Sequence, residues 1–170
     1  MELLQLLKRC EAFVGLDDNE LQKIADLPSW RRNTYSTGDF IFREGAVSKD
    51  FYVLEEGEIS LLVTSRKGAT KELVQVPVDT VTKGDVFGWS SLVAPHSRNM
   101  AAICVKRSTV VAVSGADLNN LMDCNHSLGY EVMKSLVRVI ARRLRDFQDE
   151  LVREEKLSPQ KRKTHRITIF

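Results

Sequence analysis

The spacing of apolar residues changes twice along the chain and divides it into three parts. Residues 1–28 place apolar side chains every three or four positions, as at Leu3 and Leu7, which is typical of helices. Residues 30–113 contain short runs rich in β-branched and aromatic residues, separated by glycines. In residues 115–157 the helical spacing returns. The pattern predicts a mostly β fold with N-terminal helices before it and helices after it.

The middle part predicts an antiparallel sandwich or barrel, because its turn signals follow one another at short, regular intervals. The sequence Lys83-Gly84-Asp85 resembles Thr37-Gly38-Asp39, which indicates the two-fold repeat of a double-stranded β-helix, or jelly roll. The predicted strands cover residues 39–42, 50–54, 58–63, 73–76, 100–105 and 109–113.

The last part predicts a short helix over 116–125 and a long one from Ser127, as its N-cap, to Leu157, where Ser158-Pro159 ends it. Apolar residues in the long helix alternate spacings of three and four, which is the heptad pattern of a coiled-coil seam. We call these residues the seam: Tyr130, Met133, Val137, Ile140, Leu144, Phe147 and Leu151. The pattern predicts a homodimer; the alternative is a helix that lies on its own barrel.

Composition and charge exclude several classes of function. With 170 residues and 43% hydrophobic content, the chain is long enough for one domain with a proper core. Residues 1–155 hold 20 basic and 23 acidic residues, a net charge of −3, whereas the predicted tail 158–170 is basic. A body of that sign is a poor platform for phosphates, and 13 residues after Leu157 are too few for a winged helix-turn-helix. We therefore expect no sequence-specific DNA binding.

Other features predict a non-enzymatic protein of the cytoplasm. The longest apolar run has six residues, Met100–Val105, against about 20 needed to span a bilayer, so we expect no membrane partner. Three cysteines without C-x-x-C spacing favour a reducing compartment. The three histidines show no metal-binding spacing, and no nucleophile or paired-carboxylate motif is present.

One segment, residues 84–99, could bind an anion. It contains an aromatic residue between two glycines, then Ser90-Ser91 at a predicted helix start, and Arg98 just before a strand. Free backbone N–H groups at a helix start and a guanidinium opposite them would form such a site. Arg98 is predicted to lie in a loop and to contribute little to the core.

These motifs resemble those of the cyclic nucleotide-binding domain family, in particular bacterial relatives of the catabolite activator protein and the fumarate-nitrate regulator. The resemblance covers roughly residues 8–155 of a domain that we place at 1–157. It is carried by Thr37-Gly38-Asp39-Phe40-Ile41, Glu44-Gly45, Phe51-Tyr52-Val53-Leu54, Glu56-Gly57-Glu58-Ile59 and Gly84-Asp85-Val86-Phe87-Gly88.

The resemblance implies a barrel of the cyclic nucleotide-binding type, a phosphate-binding cassette at 84–99 and a long C-terminal hinge helix that dimerises. It implies that Arg98 binds the cyclic phosphate of cAMP or cGMP. The backbone of the cassette would be supplied by Gly88, Ser90, Ser91 and Leu92. Two positions depart from the family pattern: Trp89 replaces the glutamate that accepts from the ribose 2′-hydroxyl, and Asn99 replaces a small residue.

Three functions remain open from the sequence. The chain could be a stand-alone ligand-sensing module that acts on an unknown downstream protein through its last helix. It could be a structural dimerisation module whose pocket is filled by Trp89. It could also be a transcription factor without a DNA-binding domain. The orientation of Trp89 distinguishes the first two, because an indole that fills the pocket favours the structural module.

Overall fold

The computed structural model describes residues 2–67 and 72–157. A few side chains are not described, namely those of residues 67, 150, 151 and 154–157. Two predicted features therefore lie outside the described residues: the basic tail 158–170 and the seam side chain of Leu151.

Helices flank a β-barrel in the chain order that the sequence predicts. The described residues form the α-helices α1 (Leu3–Leu7), α2 (Asp18–Ala25), α3 (Gly115–Cys124) and α4 (His126–Leu157), and 3₁₀ turns at Glu11–Phe13 and Trp89–Ser91. The strands are β1 (Arg31–Tyr35), β2 (Phe40–Phe42), β3 (Asp50–Glu56), β4 (Ile59–Lys67), β5 (Glu72–Val81), β6 (Val86–Phe87), β7 (Ala101–Cys104) and β8 (Ser108–Ser114).

The strands form two four-stranded antiparallel sheets, in the orders β1-β8-β3-β6 and β2-β7-β4-β5. The predicted jelly roll is confirmed. Its two-fold repeat is visible in two turns, where Asp39 accepts from the Ser36 N–H at 2.7 Å and Asp85 from the Thr82 N–H at 2.8 Å. The N–H of each aspartate also donates to the carbonyl of that same residue, Ser36 or Thr82. The two hydrogen bonds close each turn just before β2 or β6 begins.

The core has two compartments because both faces of β3 are buried. Phe51 and Val53 pack toward the helices, whereas Tyr52 and Leu54 point into the barrel. The sequence signals this arrangement with an uninterrupted apolar run rather than an alternating one, as expected for a strand that is covered on both sides.

Helix α4 lies on the barrel through a face different from the seam. Its inward side chains are Leu128, Val132, Leu136 and Val139, each at most 3% exposed. The described seam side chains are exposed instead, from 38% at Met133 and Ile140 to 65% at Tyr130. The alternative was a helix that lies on its own barrel. The helix does lie on the barrel, but through the face of Leu128 and Val132 and not through the described seam side chains.

Some predicted boundaries were wrong. Strands β1 and β6 were not predicted, and β5 is longer than the predicted 73–76. Strand β1 is mostly polar and exposed, so it lacks the apolar alternation on which strand prediction depends. Ser127 is not an N-cap, because α4 begins at His126 and Ser127 lies within its first turn.

Candidate functional site

Arg98 is the centre of the cassette, and it is buried rather than exposed in a loop. Only 3% of it is accessible. Its guanidinium donates to the backbone carbonyls of Asp50, at 2.6 Å, and Gly88, at 2.8 Å, with a longer contact to the Ser90 hydroxyl at 3.4 Å. The prediction that Arg98 contributes little to the core is therefore wrong, because it connects β3 to the cassette.

Aromatic rings surround the same guanidinium. Its central carbon lies 4.2 Å from the ring centroid of Phe42 and 5.2 Å from that of Tyr52. Tyr52 is also stacked on Phe87, with centroids 5.0 Å apart. Burial lowers the pKa of Arg98, while the nearby Tyr52 and Asp50 act in the opposite direction. The ring faces supply favourable π contacts to a cation that has left water.

Gly88 makes this arrangement feasible. It has a φ of 76°, in the left-handed region that favours glycine. A Cβ at this position would lie 2.5 Å from Arg98 Nη1 and 2.8 Å from Tyr52 Cδ2. Any side chain at position 88 would therefore push Arg98 away from the carbonyl to which it donates.

The turn after Gly88 offers fewer free amides than the sequence predicts. The N–H of Ser91 donates to the Gly88 carbonyl at 3.1 Å, and that of Leu92 to the Trp89 carbonyl at 2.9 Å. The Ser91 hydroxyl also donates to Gly88, at 3.0 Å. The amides of Ser91 and Leu92 are thus already used within a three-residue 3₁₀ turn, and this part of the predicted anion cradle is wrong.

A small cavity of about 80 Å³ lies beside Arg98. Its lining includes five predicted site residues: Gly88, Trp89, Ser90, Arg98 and the exposed Asn99. The rest of the lining was not predicted: Phe42, Leu61 and Met100. Ser91 and Leu92 are not part of this lining; both are buried, and Leu92 packs in the compartment between barrel and helices.

The cavity is positive and small. Arg98 is the one charged side chain among its described lining residues, and no carboxylate is among them. Typical ligand pockets measure roughly 300–1,000 Å³, so the cavity is several-fold smaller than the space such ligands occupy.

Trp89 lines the cavity without filling it, and its side chain packs against the compartment under the helices. On that side its ring centroid lies 5.0 Å from the guanidinium carbon of Arg143, a residue of α4. Arg143 was not predicted as a site residue. Helix α4 contains several arginines, and nothing in the sequence distinguishes the one that packs inward.

Three comparisons with known proteins identify the family of this fold. A sequence model of the cyclic nucleotide-binding domain matches residues 32–125, more than half of the chain. The chain belongs to the cyclic nucleotide-binding domain family. The regulatory subunit of a cAMP-dependent protein kinase from Schizosaccharomyces pombe is 30% identical over 117 residues, which is 69% of this chain but 26% of that protein. The chain thus spans about a quarter of this relative.

Two solved bacterial structures cover most of the chain. A cyclic nucleotide-binding protein from Geobacter metallireducens is 26% identical, with a TM-score of 0.68 over 85% of this chain and 98% of its own. The catabolite activator protein of Thermus thermophilus is 25% identical, with a TM-score of 0.63 over 83% of this chain and 61% of its own. The predicted resemblance is confirmed.

Two further observations concern other kinds of site. Within residues 2–67 and 72–157, no helix is both long and apolar enough to cross a membrane. The same residues contain no group of three or more His, Cys, Asp or Glu side chains arranged to hold a metal ion.

Proposed function

We propose that this domain is a regulatory module of the cytoplasm that senses a small anion through Arg98 and signals through α4. The observation that carries the proposal is a buried cation whose described hydrogen bonds go to neutral acceptors beside an open cavity. A charge removed from water is costly unless it is paired. An anion that enters the cavity would supply the missing charge, and we expect no catalysis there.

A cyclic nucleotide, cAMP or cGMP, is the ligand that we propose first. The family relation supports it, since relatives include the regulatory subunit of a cAMP-dependent kinase. The cavity, at about 80 Å³, would have to enlarge to accept it, and we propose that Trp89 is the lining residue that moves. An indole offers only a donor, so the ribose 2′-hydroxyl would lose the carboxylate acceptor that the family pattern supplies.

We propose that the output is a homodimer formed along the seam. Six seam side chains with described environments form one exposed apolar stripe along α4. Charged residues border the stripe, including Arg138, Arg145 and Asp149, all of them exposed. Exposed apolar patches with polar rims mark protein–protein contacts, and a second copy would present the identical stripe. The downstream protein would contact this dimer.

A second candidate is a structural dimerisation module with a degenerate pocket. The small volume beside Trp89 favours it, because about 80 Å³ is several-fold less than the volume of typical ligand pockets. The two candidates share the seam and differ only in whether Arg98 binds a ligand.

Thermal unfolding with and without cAMP or cGMP tests the ligand. A ligand at a hundredfold excess over its Kd should stabilise the fold by about 2.7 kcal/mol. Arg98→Ala should abolish that increment. It should also lower the Tm of the free protein, because two carbonyls lose a buried partner; the ligand-dependent difference in Tm is therefore the quantity to compare. Arg43→Ala is the matched control, since Arg43 is an exposed arginine that stacks on Phe40, 4.1 Å from its centroid.

The variant Trp89→Glu sharpens the result. It restores a carboxylate for the ribose hydroxyl, and a hydrogen bond to a charged acceptor contributes roughly 1.5–3 kcal/mol. Affinity for a cyclic nucleotide should therefore rise by about tenfold or more. If neither nucleotide changes the Tm of the wild type or of Trp89→Glu, while the dimer persists, the structural module replaces the sensor.

A further inference from the structure

Arg143 is a buried arginine at the end of the inward face of α4. The inward series Leu128, Val132, Leu136 and Val139 continues with Arg143 at the next helical step. Its side chain is only 10% exposed. The last described inward contact of α4 is therefore a charged group, where an apolar residue would continue the pattern.

This arginine connects α4 to three parts of the barrel side. Its Nη2 donates to the carbonyl of Val86 at 2.8 Å. Its Nε lies 3.2 Å from Asp79 Oδ2, and its Nη2 lies 3.9 Å from Glu11 Oε1. Val86 stands two residues before Gly88, whose carbonyl accepts from Arg98. The two buried arginines thus hold the same short segment from opposite sides.

Among the described residues that line the cavity, Trp89 contacts Arg143. The ring centroid of its indole lies 5.0 Å from the Arg143 guanidinium carbon. A guanidinium at that distance from an indole is held by the ring quadrupole, and the attraction strengthens when both groups leave water. Moving the indole would therefore cost α4 one of its contacts.

The polar groups around Arg143 are only partly hydrogen-bonded to one another. Arg143 Nη1 and Asp79 Oδ2 are buried and, among the described residues, lack a hydrogen-bond partner. The Arg143–Asp79 contact at 3.2 Å is thus an ion pair without hydrogen-bond geometry. Asp79 follows the bulge in the pairing of β4 with β5, and burial raises its pKa although Arg143 acts to lower it. Partly satisfied buried networks are poorly rigid.

We propose that the Trp89–Arg143 contact is the switch of this domain, so that filling the cavity displaces the indole from Arg143 and loosens α4 beyond Val139. The proposal rests on the proposed function, for which it supplies the coupling between site and seam. It also gives Trp89 a role that depends on its aromatic ring, which the glutamate of the family pattern lacks. The seam residues Ile140, Leu144 and Phe147 lie in the part of α4 that would loosen.

A double-mutant cycle without any ligand tests the contact. The variants are Trp89→Leu, Arg143→Met and the pair, and the readout is the hydrogen-exchange rate of backbone amides in residues 140–149. Trp89→Leu should raise that rate by about two- to thirtyfold, the range of a cation–π contact. Arg143→Met should raise it by at least as much, because it also removes the contacts with Val86 and Asp79. The double variant should exchange no faster than the faster single variant, because both changes remove one interaction.

Arg142→Met is the matched control. Arg142 is the neighbouring residue, contacts the same Glu11 at 2.6 Å, and is half-exposed. Its effect on the exchange rates should be small and should multiply with that of Trp89→Leu. Multiplicative effects of Trp89→Leu and Arg143→Met as well would overturn the proposal.

The filling step can be tested separately with Leu61→Phe, which adds volume to the cavity wall. Leu61 is 4% exposed and lines the cavity. In the wild-type background this change should raise the exchange rate over 140–149 and alter the fluorescence of Trp89, read in a Trp30→Phe background. In Arg143→Met it should still alter the fluorescence but leave the exchange rate within about twofold.

These outcomes distinguish a failure of the proposed switch from a failure of the proposed ligand. Unchanged exchange in Leu61→Phe with altered Trp89 fluorescence would show that the indole moves without affecting α4, and the switch would be wrong even if cAMP binds. A coupled cycle combined with no response to cAMP or cGMP would retain the switch and reject those nucleotides as its ligands.

Discussion

The two faces of α4 have similar spacing and opposite surroundings. Leu128, Val132, Leu136 and Val139 lie on the barrel and are at most 3% exposed, while the seam one position away is exposed from Tyr130 to Phe147. Both series recur at three or four residues, so spacing alone cannot tell which face meets the barrel. The comparison shows that one helix can pack on the barrel with one apolar face and leave a second apolar face exposed.

The two faces also differ in how they end. The inward series ends at Arg143, within contact of the cassette, whereas the seam continues past Leu144 to Phe147. A structural change in the cassette would therefore affect the inward face of α4 directly, through Arg143. The seam would respond only because it belongs to the same helix.

Charge on the outward face should have the largest effect. Ile140→Glu together with Leu144→Glu would bury four carboxylates in a dimer formed along the seam, and each buried, unpaired ion costs several kcal/mol. We expect the Kd of the dimer to rise by at least about a thousandfold, measured by sedimentation equilibrium. The far-UV circular dichroism should stay unchanged, since both side chains are exposed in the single chain.

A matched pair of variants would confirm that position on the helix, not charge alone, explains that result. Arg138→Glu and Arg145→Glu place carboxylates on exposed positions outside the seam, and the dimer should persist. If the wild type is a monomer at high micromolar concentration, the seam is not a homodimer interface.

Truncation on the inward face should have the next largest effect, and on stability rather than association. Leu136→Ala removes a side chain that is 2% exposed, and such changes cost about 2–5 kcal/mol. Val137→Ala, one residue further and 61% exposed, should change stability by at most about 0.5 kcal/mol. Both are measured by urea unfolding in the Ile140→Glu/Leu144→Glu background, so that association does not contribute. Equal losses would contradict the assignment of the two faces.

Much of the fold could be predicted because its signals are local. The glycine turns at Gly38, Gly45, Gly57, Gly84 and Gly88 all have positive φ, and each needs only its own residue to be recognised. The capping box of α2, with Asp17 and Glu20 bonded to each other's backbone, is local as well. Strand β1 was missed because a polar edge strand is specified by its pairing with β8, which lies far along the chain.

The site could be predicted only in part because its partners are distant in sequence. Arg98 is recognisable from its spacing after Gly88, but its burial depends on Phe42 and on the Asp50 carbonyl, 48 residues away. The role that we propose for Trp89 depends on its contact with Arg143, which no motif marks. The tryptophan in place of the family's glutamate indicates that position 89 differs from the family pattern. Only the tertiary contacts show that the residue there packs against Arg143.

The smallest effect concerns a single hydrogen bond on the inward face. The hydroxyl of Ser135 is buried and donates to the Val14 carbonyl at 2.9 Å, joining α4 to the loop after the first 3₁₀ turn. Ser135→Ala should cost about 1 kcal/mol through that bond, offset in part because alanine favours a helix more than serine. Ser127→Ala lies at an exposed position in the first turn of the same helix, where alanine gains less over serine than it does in the helix interior. Ser135→Ala should therefore be the more destabilising of the two in urea unfolding, and a difference near zero would mean that the inward face is held by its apolar side chains alone.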